Sequence, residues 1–282
     1  MRFVLITGIS SGIGLFLAHL LTKEGFFVIG TLRYDKVPDP ELLKQTNFAA
    51  ITMDLHEDVS IEAGVEQLKS ILRENPLYAL INNAGYAVPG PLTHLPMAHL
   101  KAQFQVNVFG SIRLIQLILP FLKSDNTEAR ILNISSISGL FASPFLGAYA
   151  GSKFALEGLS DSLRRELTLF GIKVILIEPG PIKTLIWQKN LRVEEDFKLS
   201  PYALYLTKAT KTILETERNA LPVESLKDPI LAALNSKNPK NRYLIHKNKI
   251  LFLLLAKFLP SKWVDFLVRR NLTSKNSKIR PV

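Results

Sequence analysis

Tyr149 and Lys153 stand four residues apart at the end of a stretch that begins at Ser136. On a helix that spacing puts both side chains on one face, a turn apart. A phenol beside an ammonium is a combination suited to acid/base chemistry. Free Tyr titrates near ~10 and is a poor base at neutral pH, whereas a neighbouring positive charge favours the phenolate. A downward shift of ~3 units corresponds to about 4 kcal/mol of differential stabilisation, which one lysine and a cationic cofactor ring can supply together. Spacing alone does not single out this pair, because Tyr243 and Lys247 repeat it. The surroundings decide between the two.

The chain in front of the pair alternates apolar runs with helical periodicity. Phe3 to Thr7 reads as a buried strand and Leu15 to Leu21 as helix. Between them lies Thr7-Gly8-Ile9-Ser10-Ser11-Gly12-Ile13-Gly14. A glycine loop between a strand and a helix start is a phosphate cradle: the glycines allow a tight turn and close backbone approach, and the helix N-terminus faces the anion. Phe26 to Leu32 reads as a second strand. It ends in Leu32-Arg33, with no acid at the position that would bond a ribose 2′-hydroxyl and with a base that suits a 2′-phosphate. This favours NADP(H) over NAD(H).

Further strands are read at Phe48 to Met53, Tyr78 to Ile81, Arg130 to Ile134, Ile172 to Ile177 and Arg242 to Ile245. Helices are read at Pro38 to Gln45, Ser60 to Glu74, Pro96 to Leu122, Tyr149 to Phe170 and Val223 to Leu234. Asn107 is an unfavourable helix-interior residue unless its amide is satisfied. The strand reading at Arg242 undercuts the second Tyr/Lys pair, since four residues along a strand span ~13 Å. Short crossovers between apolar strands predict an α/β fold. Its architecture is a Rossmann-like doubly wound parallel sheet, three layers in a single domain over residues 1–248, with a C-terminal helical extension over 249–282. From Leu185 to about Pro222 the sheet rhythm stops. Ile186, Trp187, Phe197, Tyr202, Tyr205 and Leu206 there read as a lid or substrate pocket, or as helices packing on the core.

The chain has 282 residues and no cysteine, which leaves no disulfide framework, no cysteine-based metal site and no cysteine nucleophile. That fits a reducing, cytoplasmic setting. No metal site is expected. The net charge is +11, of which +10 falls in residues 240–282, with eleven Lys/Arg against the single acid Asp265. No run reaches the ~18 apolar residues of a spanning helix. Lys249 to Leu259 is apolar with basic ends and is broken by Pro260; Trp263, Phe266, Leu267 and Val268 then recur among Lys262, Arg269 and Arg270. Such a tail lies peripherally on an anionic membrane, or covers the substrate pocket. Nucleic acid is disfavoured, because the aromatic residues sit with aliphatic neighbours and no recognition motif is present.

Taken together, the pieces resemble the short-chain dehydrogenase/reductase family, strongly over residues 3–184. The resemblance rests on Thr7-Gly8-x3-Gly12-x-Gly14, Asp54, Asn82-Asn83-Ala84-Gly85, Asn107, Ser136 thirteen residues before Tyr149, Lys153 and Pro179-Gly180. It implies that Tyr149 is the general acid/base, with Lys153 holding the nicotinamide ribose and lowering the Tyr149 pKa. Ser136 would orient the substrate oxygen, and Asn107 would steady a water that links Lys153 to solvent. It implies that Gly8, Ser10, Ser11, Gly12, Ile13 and Gly14 hold the pyrophosphate. Asp54 and Leu55 would meet the adenine, Asn82, Ala84 and Gly85 its ribose, and Pro179, Gly180, Ile182 and Thr184 the carboxamide. A carbonyl reductase or alcohol dehydrogenase acting on a lipophilic small molecule follows, with a homodimer or homotetramer as the expected assembly. The alternatives are a non-catalytic NADP(H) sensor or scaffold, for which the Ser136/Tyr149/Lys153 set would be superfluous, and an epimerase or dehydratase, whose relatives carry a larger C-terminal domain.

Overall fold

The computed structural model describes residues 1–122, 129–184 and 193–273. Seven parallel strands form one sheet: β1 (Phe3–Ile6), β2 (Phe27–Leu32), β3 (Phe48–Thr52), β4 (Leu77–Asn82), β5 (Arg130–Ile134), β6 (Lys173–Pro179) and β7 (Arg242–Ile245). Their order is β3-β2-β1-β4-β5-β6-β7, and every pairing is parallel. The order reverses between β1 and β4. At such a switch point the crossovers leave in opposite directions, and a crevice opens at the carboxyl ends of the strands.

Alternation along the strands supplies both faces of the sheet with apolar side chains. Val4 and Ile6 of β1 join Ala79 and Ile81 of β4 and Leu132 and Ile134 of β5 on one face. Leu5, Leu80 and Ile131 point to the other. The first face is covered by α1 (Gly12–Lys23), and by Ile230, Ala233 and Leu234 of α9 (Lys227–Asn235). The second is covered by α3 (Asp58–Leu72), α5 (Ser111–Leu122) and the end of α6 (Gly147–Leu167). A sheet buried on both sides needs near-continuous apolar strands, which is what the sequence provides.

The helix expected from Pro96 to Leu122 is α4 (Met97–Phe104), then a π-helical stretch Gln105–Gly110, then α5. By length and composition this helix could cross a membrane, although no unbroken run of apolar residues predicted it. In the fold it flanks the sheet, and its buried polar residues Gln103 and Asn107 are hydrogen-bonded. The remaining helices are the short α2 (Pro40–Leu43) and α7 (Val193–Asp196), α8 (Ala203–Arg218), α10 (Lys249–Phe258) and α11 (Ser261–Leu272). Helix α11 packs against α8.

Candidate active site

A cleft of about 970 Å³ opens at the carboxyl ends of the strands, on the switch-point side. One wall is the loop from β1 to α1. Gly8 and Gly12 have φ of 72° and 60°, the left-handed region where a side chain is strained. Gly14 has no room for a side chain: an added Cβ would lie 2.2 Å from the Gly8 carbonyl oxygen and 2.4 Å from Asn83 Nδ2. Five hydrogen bonds set the loop. Gly8 N donates to Thr31 Oγ1 at 3.1 Å, and Asn83 Nδ2 donates to the carbonyls of Thr7 and Gly8 at 2.9 and 3.0 Å. Thr7 Oγ1 accepts from the amides of Asn83 and Ala84. Ser11, the N-cap of α1, makes no side-chain cap bond. A helix start beside residues without a Cβ fits an anionic pyrophosphate.

Strand β5 delivers Ser136 into the cleft. Ser136 Oγ accepts from Ser138 N at 3.1 Å, which caps the single turn Ile137–Gly139 and fixes the hydroxyl. Helix α6 then begins at Gly147 and brings in Tyr149 and Lys153. Phe145, just before it, holds φ of 63°, and its ring meets the edge of Tyr202 on the far side. Tyr149 and Lys153 are 7% and 6% exposed. Burial pushes the Tyr149 phenol up, opposed by its hydrogen bond with Ser136. Lys153 is pulled down to about 8 by burial, and Glu157 one turn on acts to raise it. Lys153 Nζ lies 5.8 Å from the Tyr149 ring centroid and donates to the Ile134 carbonyl at 2.8 Å. The expected lowering of Tyr149 calls on Lys153 together with a cationic cofactor ring; in the chain by itself burial is the larger influence on the phenol, and the Lys153 ammonium is engaged with β5.

Of the residues named from the sequence, Gly8, Ser10, Ser11, Gly12, Ile13, Arg33, Asp54, Leu55, Ala84 and Gly85 all line this one cleft. So do Ser136, Tyr149, Lys153, Pro179, Gly180, Ile182 and Thr184. Three named residues do not. Gly14 lies behind the loop, where its missing Cβ makes space. Asn82 is turned into the sheet and donates to Asn133 Oδ1 at 2.9 Å. Successive strand residues face opposite ways, so of the tandem Asn82-Asn83 it is Asn83 that reaches the cleft. Asn107 sits in the π-helical stretch. Its Nδ2 donates to the Tyr86 carbonyl and Ser152 Oγ, both at 3.0 Å, and its Oδ1 accepts from Tyr86 N at 3.1 Å. With both amide hydrogens committed, the side chain ties the π turn to α6.

Several lining residues were missed from the sequence. Lys36 joins Arg33 at the β2 end, and the exposed Asp35 pairs with both, at 3.0 and 3.5 Å. The signal was present as a second base three residues after Arg33. Behind Lys153, Arg242 of β7 reaches Glu157, and binds Glu178 at 2.6 Å and Asp161 at 3.0 Å. Burial pushes the Glu157 carboxyl up, against the pull of Ser135 and Arg242. The rival pair is split by this strand: Tyr243 packs on the core and Lys247 is exposed.

The segment read as a lid or as helices packing on the core divides those roles between its residues. Ile186 and Trp187 lie outside the described residues. Tyr202 packs edge-on against His94 and Phe145, and Leu206 is buried. The face of α8 that lines the cleft carries the small Ala209, Thr212 and Thr216 beside Ile213 and Glu217. The aromatic residues anchor the helix and the small ones leave room. The cleft is completed by Val268, Asn271 and Leu272 of α11, from the tail.

The family model described as short chain dehydrogenase matches residues 2–195. The chain is 34% identical over 278 residues to the NADPH-dependent 3-dehydrocapnine reductase of Ornithobacterium rhinotracheale, covering 96% of this chain and 98% of that one. It is 31% identical over 269 residues to the 3-ketodihydrosphingosine reductase of Bacteroides thetaiotaomicron, covering 95% and 97%. Among solved structures, a short-chain dehydrogenase from Streptomyces avermitilis superposes with a TM-score of 0.74 at 25% identity, covering 94% of this chain and 93% of that one.

Proposed function

Because the chain belongs to the short-chain dehydrogenase family, and is therefore an NAD(P)-dependent oxidoreductase acting on carbonyl or alcohol groups, we propose that it is an NADP(H)-dependent reductase of a lipophilic ketone. The observation that carries this reading is the convergence of Ser136, Tyr149 and Lys153 on the same cleft as the Gly8–Gly14 loop. When bound, the dinucleotide supplies the hydride. The chain's own residues handle the oxygen. Ser136 donates to the substrate carbonyl and orients it. Tyr149, kept protonated by burial, gives its proton to that oxygen. Lys153 stands behind it as an ammonium below pH of about 8 and binds the nicotinamide ribose. Asn107 holds the start of α6 in register through Ser152.

The preference for NADP(H) is supported by Arg33 and Lys36, two cations where a 2′-phosphate would sit, with no acid at Leu32. One relative is named as NADPH-dependent, and two are named as reductases of a 3-dehydro and a 3-keto compound. Apolar walls from Val106, Phe141, Leu146, Ile213, Val268 and Leu272 support an apolar substrate. The absence of cysteine suits a cytoplasmic setting. In the same reading the working form is a homodimer or homotetramer, and the basic tail meets anionic lipid. The test is a panel of ketones followed by NADPH absorbance. The wild type is expected to oxidise NADPH with a long-chain ketone. Tyr149→Phe is expected to retain NADPH binding and lose about 10²–10⁴-fold in turnover. Unchanged turnover in that variant would remove Tyr149 from the mechanism.

A further inference from the structure

Helices α10 and α11 leave apolar surface uncovered in a pattern that core packing does not account for. On α10, Ile250, Leu251, Leu254, Leu255 and Phe258 are all exposed, from 45% to 75%. Their spacing places them on one continuous face. The half-buried Phe252, Leu253 and Ala256 form the opposite face, turned to the body. Helix α11 carries two apolar stripes. Val264, Val268 and Leu272, at i, i+4 and i+8, are its half-buried side, and the last two also line the cleft. Trp263, Phe266 and Leu267 are exposed on another side. One helix thus separates the cleft interior from an apolar outer surface.

Resting on the reading of the cleft as the site of an apolar substrate, we infer that α10 and α11 seat in the interface of an anionic bilayer. The same helices form the mouth through which the substrate passes from the lipid to Tyr149. Soluble monomers rarely expose contiguous apolar patches of this kind, and amphipathic helices with a Trp and basic flanks are stable at the headgroup boundary. Charge selects the occupant. Lys247, Lys249, Lys262, Arg269 and Arg270 are exposed around the patch, and the only acid from Lys247 to Leu272 is Asp265. A second copy of the chain would bring the same cations against them, whereas anionic lipid neutralises them. Helices of 10 and 12 residues are too short to span the bilayer, so they lie in its plane. The apolar walls from Val268 and Leu272 then continue inward from that surface, and the substrate need not cross water.

The experiment uses the full chain with vesicles of phosphatidylcholine, alone or mixed with phosphatidylglycerol, in a sedimentation assay. Its activity arm uses a short water-soluble ketone and a long-chain ketone carried in the vesicles. Wild type is expected to bind the anionic vesicles at least ~10-fold more tightly than the neutral ones, and less tightly as salt rises. Leu254→Glu/Leu255→Glu is expected to lose vesicle binding and at least ~10-fold of turnover on the vesicle-borne ketone. Its turnover on the soluble ketone should stay unchanged, which also reports a folded enzyme. Lys262→Glu/Arg270→Glu should weaken anionic binding alone. Wild type that reduces the soluble ketone but ignores both vesicle types overturns the inference and leaves the functional reading standing. A dimer in light scattering that the Leu254→Glu/Leu255→Glu variant breaks also overturns it. Failure to reduce any ketone removes the functional reading, and vesicle binding by itself then still decides where the tail sits.

Discussion

Lys153 Nζ donates to the carbonyl oxygen of Ile134 at 2.8 Å. This bond fastens the helix that carries Tyr149 to the strand that delivers Ser136, so the proton donor and the group that orients the substrate oxygen are held by one contact. It also keeps an ammonium in a buried place, which burial makes costly.

That cost has a pH signature. The Lys153 pKa falls from 10.5 to about 8 on folding. Below about 8 both folded and unfolded chains hold the proton, and the penalty is fully present, on the order of 3 kcal/mol by linkage. Between about 8 and 10.5 the unfolded chain holds more protons, so stability from this group rises with pH. Lys153→Met should therefore match or exceed the wild type in urea unfolding at pH 7. The wild type should close the gap by pH 9.5, while NADPH oxidation by the variant falls ~10²-fold or more. A variant less stable than the wild type by several kcal/mol at pH 7 contradicts the burial argument.

Arg242 faces Glu157, Glu178 and Asp161, and the side chains of Glu157 and Glu178 are 7% and 3% exposed. Removing one partner of a buried ionic cluster costs about 3–5 kcal/mol. Arg242→Met should lose that much at pH 7. Without the guanidinium, burial acts with less opposition on the Glu157 carboxyl, which it already pushes up. The penalty of that carboxyl is absent at acid pH and grows as pH rises through the unfolded value near ~4.3. The Tm deficit should accordingly shrink between pH 7 and pH 5. A deficit independent of pH would count against the cluster.

Arg33 and Lys36 share Asp35 at the end of β2. A charge-assisted bond to a phosphate is worth about 1.5–3 kcal/mol, or roughly 10–100-fold in affinity. Arg33→Ala and Lys36→Ala should each weaken NADPH by about 10-fold or more and leave NADH within about 3-fold, measured by fluorescence titration. Asp35→Asn should tighten NADPH by releasing both cations. Equal losses for the two dinucleotides would remove the 2′-phosphate from this corner.

Gly14→Ala places a Cβ 2.2 Å from the Gly8 carbonyl oxygen and 2.4 Å from Asn83 Nδ2. Both groups belong to the tether that shapes the phosphate loop. Overpacking of this kind costs about 1–3 kcal/mol. The expected result is a KM for NADPH raised about 10-fold or more, with a smaller fall in kcat. An unchanged KM would mean that the loop yields without affecting the cofactor.

The α/β class and the succession of strands along the chain were legible because they are written in local periodicity; the sheet order β3-β2-β1-β4-β5-β6-β7 was not. Strands buried on both faces must be near-continuously apolar, as β1 is, whereas the edge strand Arg242–Ile245 is fully buried only at Ile245. The glycine loop was legible because it sits between one strand and one helix. The π turn around Asn107 was not, since a run such as Gln105–Gly110 carries no signal distinguishing it from an α-helix. Nor was the role of the aromatic residues after β6. Composition left Tyr202 as either a lid residue or a packing residue, and its contacts with His94 and Phe145 give it the packing role.

By itself the sequence determined the family, the parallel sheet, and the Tyr149/Lys153 pair as the one that follows a strand ending in Ser136. Those features depend on residues near one another in the chain. Tertiary structure alone decided that Asn82 turns inward to Asn133 and leaves Asn83 at the cleft. It decided that Lys153 answers to Ile134 and Glu157 while the phenol answers to burial and Ser136. It decided that α11, over a hundred residues after Tyr149, closes one edge of the same cleft. Each is a contact across chain separation, where desolvation and packing set the outcome and no spacing in the sequence records it.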